Sequence, residues 1–205
     1  SIWFAQRIAQ QKQLAERRFD QARRLILIII HDIQPKLGSI NGTIAIRKEL
    51  IEKSVAYLDA VAKDASGSPP LMRDLVGAYM ELASVSASPN GSNVGDIKTA
   101  SAMLKSAEAI VNRLLAEQPR DVETLVTAVE CYQRGAYLSI VPALAENGVK
   151  LAHQAVELSE RLAVVSPGDR ANDEIARSKT ALGDMLSSDP AKRIALYEEA
   201  RKIWE

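Results

Sequence analysis

ASAMLKSAEAIVNRLLAEQP, residues 100 to 119, carries a spacing that the chain uses again. Ala100, Leu104, Ala107 and Pro119 stand 4, 3 and 12 residues apart; Gly148, Ala152, Ala155 and Pro167 repeat these offsets, and Arg193, Tyr197 and Ala200 repeat the first two. From Ala100 to Gly148 is 48 residues, and from Gly148 to Arg193 is 45. A unit of that length holds two helices, so the period predicts stacked helical hairpins that bury their apolar faces against one another. Offsets of 4 and 3 place three residues on one helix face, and the later proline ends the helix. The pattern points to a scaffold that binds along its surface and argues against an enzyme core.

Composition agrees with an all-α chain. Apolar residues make up 47% of the 205 positions, enough for an ordered core, while aromatics are only 4%, which suits close helix packing and argues against a β-sandwich. Lys plus Arg and Asp plus Glu are 26 each, so no global field exists to hold a nucleic acid. Cys131 is the single cysteine, which excludes an intrachain disulfide and a thiolate metal cluster. With two histidines besides, no metal-ligand spacing exists, and no cofactor is implied.

Residues 3 to 33 lack Gly and Pro. Ile8, Ala15, Ala22 and Ile29 form one heptad series and Phe19, Ile26 and Ile33 another, the seam of a long helix packed along one side. Leu25 to Ile30 is apolar all round and is expected to be buried. This helix is expected to cover the end of the array; the competing reading is self-pairing through Phe19 and Ile26. Ser1-Ile2-Trp3-Phe4, ahead of a glutamine and arginine run, reads as the exit from a membrane span just upstream, with the side of the membrane open.

Pro35, Gly38 and Asn41-Gly42 break the chain, dividing a linker over 1–42 from repeats over 43–205. Helices are expected over 43–65, with Ile46, Leu50, Val55, Leu58 and Val61 inward, and over 69–85, behind a Ser68 cap and Pro69. Further helices follow over 95–117, 121–139, 142–165, 169–186 and 189–204. Leu50, Ser54, Tyr57 and Pro69 repeat the offsets once more, as a degenerate first unit. Small residues at Ala100, Ala107, Gly148, Ala152, Ala155 and Ala200 are expected where paired helices cross, and Leu104 and Tyr197 between neighbouring hairpins.

This arrangement resembles the tetratricopeptide repeat, whose first helix carries a Leu-Gly pair and whose second carries small positions followed by proline. Leu182-Gly183-Asp184 matches that pair, Leu82-Ala83 has Ala for Gly, and Arg134-Gly135 keeps the glycine. The resemblance implies a right-handed superhelix of hairpins. The long second helices are similar to the form attached to bacterial membrane-bound serine/threonine protein kinases. Ala15-Glu16-Arg17-Arg18-Phe19-Asp20, His31-Asp32-Ile33, Ala56-Tyr57-Leu58-Asp59 and Gly95-Asp96 resemble the region between that kinase's membrane segment and its repeats. Leu25 to Ile30, the surroundings of Arg134 and the turn at Ser187-Ser188-Asp189 depart from the pattern.

No glycine-rich phosphate loop, Val-Ala-Ile-Lys strand, His-Arg-Asp loop or Asp-Phe-Gly stands in the sequence, so the resemblance implies the kinase's non-catalytic portion. His31-Asp32 has no nucleophile motif beside it, and His153 is isolated. No catalytic residue is assigned. The resemblance instead implies a partner protein or peptide on the concave face, read by Met80 and Ser84, by Tyr132 and Ala136, and by Arg177, Thr180 and Asp184. Self-association is the alternative. Ile194, Tyr197, Ile203 and Trp204 on the last helix call for cover, by a second copy or by further sequence. A small-molecule receptor is a third reading and would need a closed apolar cavity.

Overall fold

Three aspartates open helices here, each by accepting a backbone N–H three residues on. Asp96 accepts from Thr99, Asp121 from Thr124 and Asp189 from Lys192, at 2.8 to 3.1 Å. Those N–H groups have no partner inside the helix, and the carboxylate also complements the helix dipole.

The computed structural model describes residues 42–205 except 65–67, 88–94, 142–143 and 145–146, and before residue 42 it describes 3, 6–10, 13–14, 17, 20–21, 24, 28, 32–33, 36–37 and 40. Every regular element among the described residues is helical. In order they are α1 (Ile44–Asp64), α2 (Pro69–Ala87), α3 (Ile97–Glu117), α4 (Val122–Leu138), α5 (Gly148–Val165), α6 (Asp169–Met185) and α7 (Pro190–Trp204).

Packing follows the chain. α2 pairs with α3, α4 with α5 and α6 with α7, giving three hairpins; α4 also rests on α2 and α3, and α6 on α4 and α5. The fold is therefore all-helical and repeat-like, with the first helices α2, α4 and α6 in contact down the array. The repeated small residues lie where expected: Ala100, Ala107, Gly148, Ala152, Ala155 and Ala200 are all buried. Leu104 reaches the next hairpin, coming near Gly135 of α4. Tyr197 corrects the expectation for its position. Its ring lies on Gly183 of its own hairpin, where a Cβ would stand 2.6 Å from a ring carbon, so it fills the space that the glycine leaves.

α1 takes the place of a second helix. Tyr79 of α2 donates its hydroxyl to Asp59 of α1 at 2.7 Å, and Tyr132 of α4 donates to Asn112 of α3 at 3.0 Å. In both, a first helix reaches back twenty residues to the helix before it. α1 buries Arg47, Ile51, Ser54 and Leu58, whereas Ile46 is 53% exposed and Tyr57 is exposed too. The degenerate repeat is thus three residues out of the expected phase, because burial follows Arg47, Ile51 and Ser54 at offsets 4 and 3, whereas the expected inward face departs at Ile46, with Leu58 buried and Val55 and Val61 packed against the core.

Three further expectations change. Ser68 does not cap α2 through its hydroxyl, which has no hydrogen-bond partner. α5 begins at Gly148 rather than Pro142, after a tight turn in which Leu144 N–H donates to the Val141 carbonyl. In the linker, the seam residues Ile8 and Ile33 are exposed, and Ile28 of the apolar run is 47% exposed, so the described residues are not covered as expected. Phe19 and Ile26, with the remainder of the run from Leu25 to Ile30, lie outside the described residues.

Candidate functional site

Two neighbouring first helices, α2 and α4, leave a groove of about 410 Å³ between them. Its floor is apolar, from Val76, Ala78, Met80 and Cys131, and its walls are charged. α2 supplies Arg73, Asp74, Gly77 and Glu81; α4 supplies Glu123, Thr127, Glu130 and Arg134. Spacings of 4, 3 and 4 along α4 put its four residues on one stripe. Gly77 widens the groove, since a Cβ there would meet no atom within 4 Å.

The walls are tied together across the helices. Arg134 donates to Glu81 at 2.7 Å, and Arg73 to Asp121 at 3.3 Å. From α6, Arg170 forks onto both oxygens of Glu123, at 2.8 and 3.3 Å. Such forked pairs fix geometry more than they add stability at a wet surface. Burial would raise the Asp121 carboxyl, but the Thr124 bonds and the Arg73 charge outweigh it and hold it below the ordinary range.

Beneath the groove the polar groups are closed off. Cys131 donates weakly to the Met80 sulfur at 3.8 Å, and burial pushes its thiol up to about 12, so the sulfur stays protonated and packs as a small apolar group. Burial likewise pushes the Tyr132 hydroxyl up to about 12. Between α4 and α6, Gln133 donates to the Glu174 carboxylate at 3.0 Å and to the Ser178 hydroxyl at 2.9 Å. Burial raises the Glu174 carboxyl above the ordinary glutamate range, helped by the charges of Glu130 and Asp173 and opposed by Gln133 and Arg177.

That raised value fixes a sign. An ionised Glu174 costs stability above its folded pKa, and the cost is relieved as pH falls through that pKa. Glu174→Gln keeps an acceptor for Gln133 and removes the buried charge. The variant is expected to be more stable than the wild type at neutral pH, with the difference shrinking on acidification, read by urea unfolding across a pH series. A variant that is less stable at pH 7 would contradict the burial argument.

The expected partner-reading residues fall in different places. Met80 is 1% exposed and belongs to the groove floor, while Tyr132, 2% exposed, and Ala136 face the core, so their expected exposure is corrected. α2 and α4 are each flanked by their own second helix, the preceding helix and the next first helix, which leaves a narrow open face. On α4 that face is the polar stripe at 123, 127, 130 and 134. Its polar residues at i, i+4, i+7 and i+11, three of them charged, were the available signal. Ser84 is half-buried, its hydroxyl donating to the Met80 carbonyl. On α6, Arg177 pairs with Asp173 at 2.8 Å, Thr180 donates to the Ala176 carbonyl, and Asp184 accepts the Tyr197 hydroxyl at 2.6 Å. None of these three lines the groove.

Of the expected self-association residues, Tyr197 is engaged within its hairpin. Trp204 is 56% exposed, although its indole N–H donates to Asp173 at 3.1 Å. Among the described residues, no group of His, Cys, Asp and Glu could hold a metal, and no helix is long and apolar enough to cross a membrane. His31 lies outside the described residues. No protein-family model matches the chain, and no curated protein matches it significantly.

Proposed function

We propose that the chain is a tetratricopeptide-like right-handed array serving as a non-catalytic interaction or sensor module of a bacterial signalling protein. It binds a partner peptide or protein along its first helices. The observation that carries this reading is the α2–α4 groove, with an apolar floor for side chains and fixed charged walls for orientation. The parent in this reading is a membrane-bound serine/threonine kinase. Its support is the resemblance of Ala15 to Asp20, His31 to Ile33, Ala56 to Asp59 and Gly95-Asp96 to that kinase's linker and repeats. Any membrane attachment comes from a span upstream of Ser1.

Gly77→Trp tests the groove. The position has open space for a Cβ on the groove, and an indole there is expected to fill the groove. A partner isolated with the wild-type chain from its native organism is expected to bind Gly77→Trp at least about fivefold more weakly, about 1 kcal/mol. Equal affinity overturns the groove as the binding surface. Exposed Ile194 and Trp204 on α7 favour a second reading, self-association that brings attached kinase domains together. A mass that stays at one chain across concentrations in light scattering rejects it.

A further inference from the structure

We propose that the α2–α4 groove selects an uncharged anchor: a large aliphatic or aromatic side chain, carried on a peptide whose backbone N–H groups donate to the wall carboxylates. The inference rests on the groove being the binding surface. The lining brings two guanidiniums, Arg73 and Arg134, and four carboxylates, Asp74, Glu81, Glu123 and Glu130. Arg73 is paired with Asp121, Arg134 with Glu81, and Glu123 with Arg170 from α6. Asp74 has a partner as well. Glu130 is exposed and attracts Arg170 across the helices. The Thr127 hydroxyl, on the same stripe of α4, donates to the Glu123 carbonyl at 2.8 Å. The polar groups of the walls thus answer groups of the protein itself, and the complement to such a groove is a side chain without charge.

A charged ligand group entering here gives up water and finds its counter-charge engaged. An acid reaches Arg134 or Arg73 only by breaking the pair with Glu81 or Asp121, and a lysine reaches Glu81 or Glu123 only by displacing Arg134 or Arg170. An uncharged side chain breaks no pair. The groove, about 410 Å³ and kept open at Gly77, is within the range that holds a leucine, phenylalanine or tryptophan side chain. Over Val76, Ala78 and Met80 the apolar surface of that side chain leaves water. Orientation comes from the peptide backbone. An ionised carboxylate accepts at both oxygens, so Glu81, with one oxygen on Arg134, can take a peptide N–H and keep its pair.

The test titrates the nitrogen-15-labelled chain with the N-acetyl amides of leucine, phenylalanine, lysine and glutamic acid, and follows backbone amide shifts by NMR, which reads affinities of about millimolar. The leucine and phenylalanine amides are expected to shift the groove residues of α2 and α4 and to bind at least about fivefold more tightly than the lysine and glutamic acid amides. Their binding is expected to be unchanged by salt. Gly77→Trp is expected to abolish it, and Thr127→Phe, which fills the groove from the opposite wall, gives the same reading should Gly77→Trp not fold. Equal or tighter binding of the lysine or glutamic acid amide, still lost in the filled variants, overturns the selection of an uncharged anchor and leaves the groove standing. Binding of the leucine amide that persists in the filled variants overturns both. No shift with any of the four overturns the uncharged anchor, and the groove then stands or falls on the partner's response to Gly77→Trp.

Discussion

Ala155→Leu is expected to lower the unfolding free energy by about 1 to 3 kcal/mol, the range for forcing extra methylenes into a packed core. Ala155 is fully buried on α5, at the position that repeats Ala107 on α3, and these two helices pair with α4 and α2. A methyl group lets the paired backbones approach, whereas a leucine must push the helices apart or adopt a strained rotamer. Because each hairpin also contacts the next one, the disturbance spreads to α6. The check is urea unfolding of Ala155→Leu beside Ala109→Leu, an exposed alanine on α3 where a change within about 0.5 kcal/mol is expected. Equal effects at the two sites would show that the crossing is not close-packed.

Gly148→Ala is the second large effect and is expected to be destabilising by about 1 to 2 kcal/mol. An added Cβ would stand 2.8 Å from the Ser139 Cβ and 2.9 Å from the Met185 sulfur. Met185 has rotatable bonds and can give way. The Ser139 Cβ sits one bond from the backbone at the end of α4, and its hydroxyl is tied to the Gly135 carbonyl at 2.9 Å, so α5 itself must shift. Gly77→Ala provides the contrast. It adds the same methyl inside a helix with open space around it, and a gain of up to about 1 kcal/mol follows from the lost flexibility of the unfolded chain. Opposite signs for the two substitutions in thermal unfolding are the expected result, and equal shifts would refute the close approach at Gly148.

Much of the architecture is legible in local chemistry. Asp96, Asp121 and Asp189 open helices wherever they precede a helical pattern, since a carboxylate beside free N–H groups needs nothing more distant. Gly135 and Gly183, read from the repeat, lie under side chains of neighbouring helices: a Cβ on Gly135 would be 3.2 Å from Leu151, and Tyr197 covers Gly183. α1 shows where that reading stops. Its sequence allows two phases of the 4 and 3 offsets, and only contact with α2, through Tyr79 and Asp59, selects the one that buries Ile51 and Ser54.

The candidate site lay at the edge of legibility for the same reason. Neighbouring residues on a helix point about 100° apart, so an error of one position turns a groove residue into a core residue. Met80 and Glu81 differ by that one step: Met80 is buried under the groove, and Glu81 stands in its wall holding Arg134. The sequence by itself determined that the chain is helical, where most helices begin and end, and which small residues let them cross, because propensity, capping and side-chain volume act within a few turns. The tertiary structure decided which stripe of each first helix stays open and which charges meet across it. Those depend on how many neighbours surround a helix, and residues 48 to 53 positions apart, such as Arg73 with Asp121 and Glu81 with Arg134, supply that information only once the hairpins are stacked.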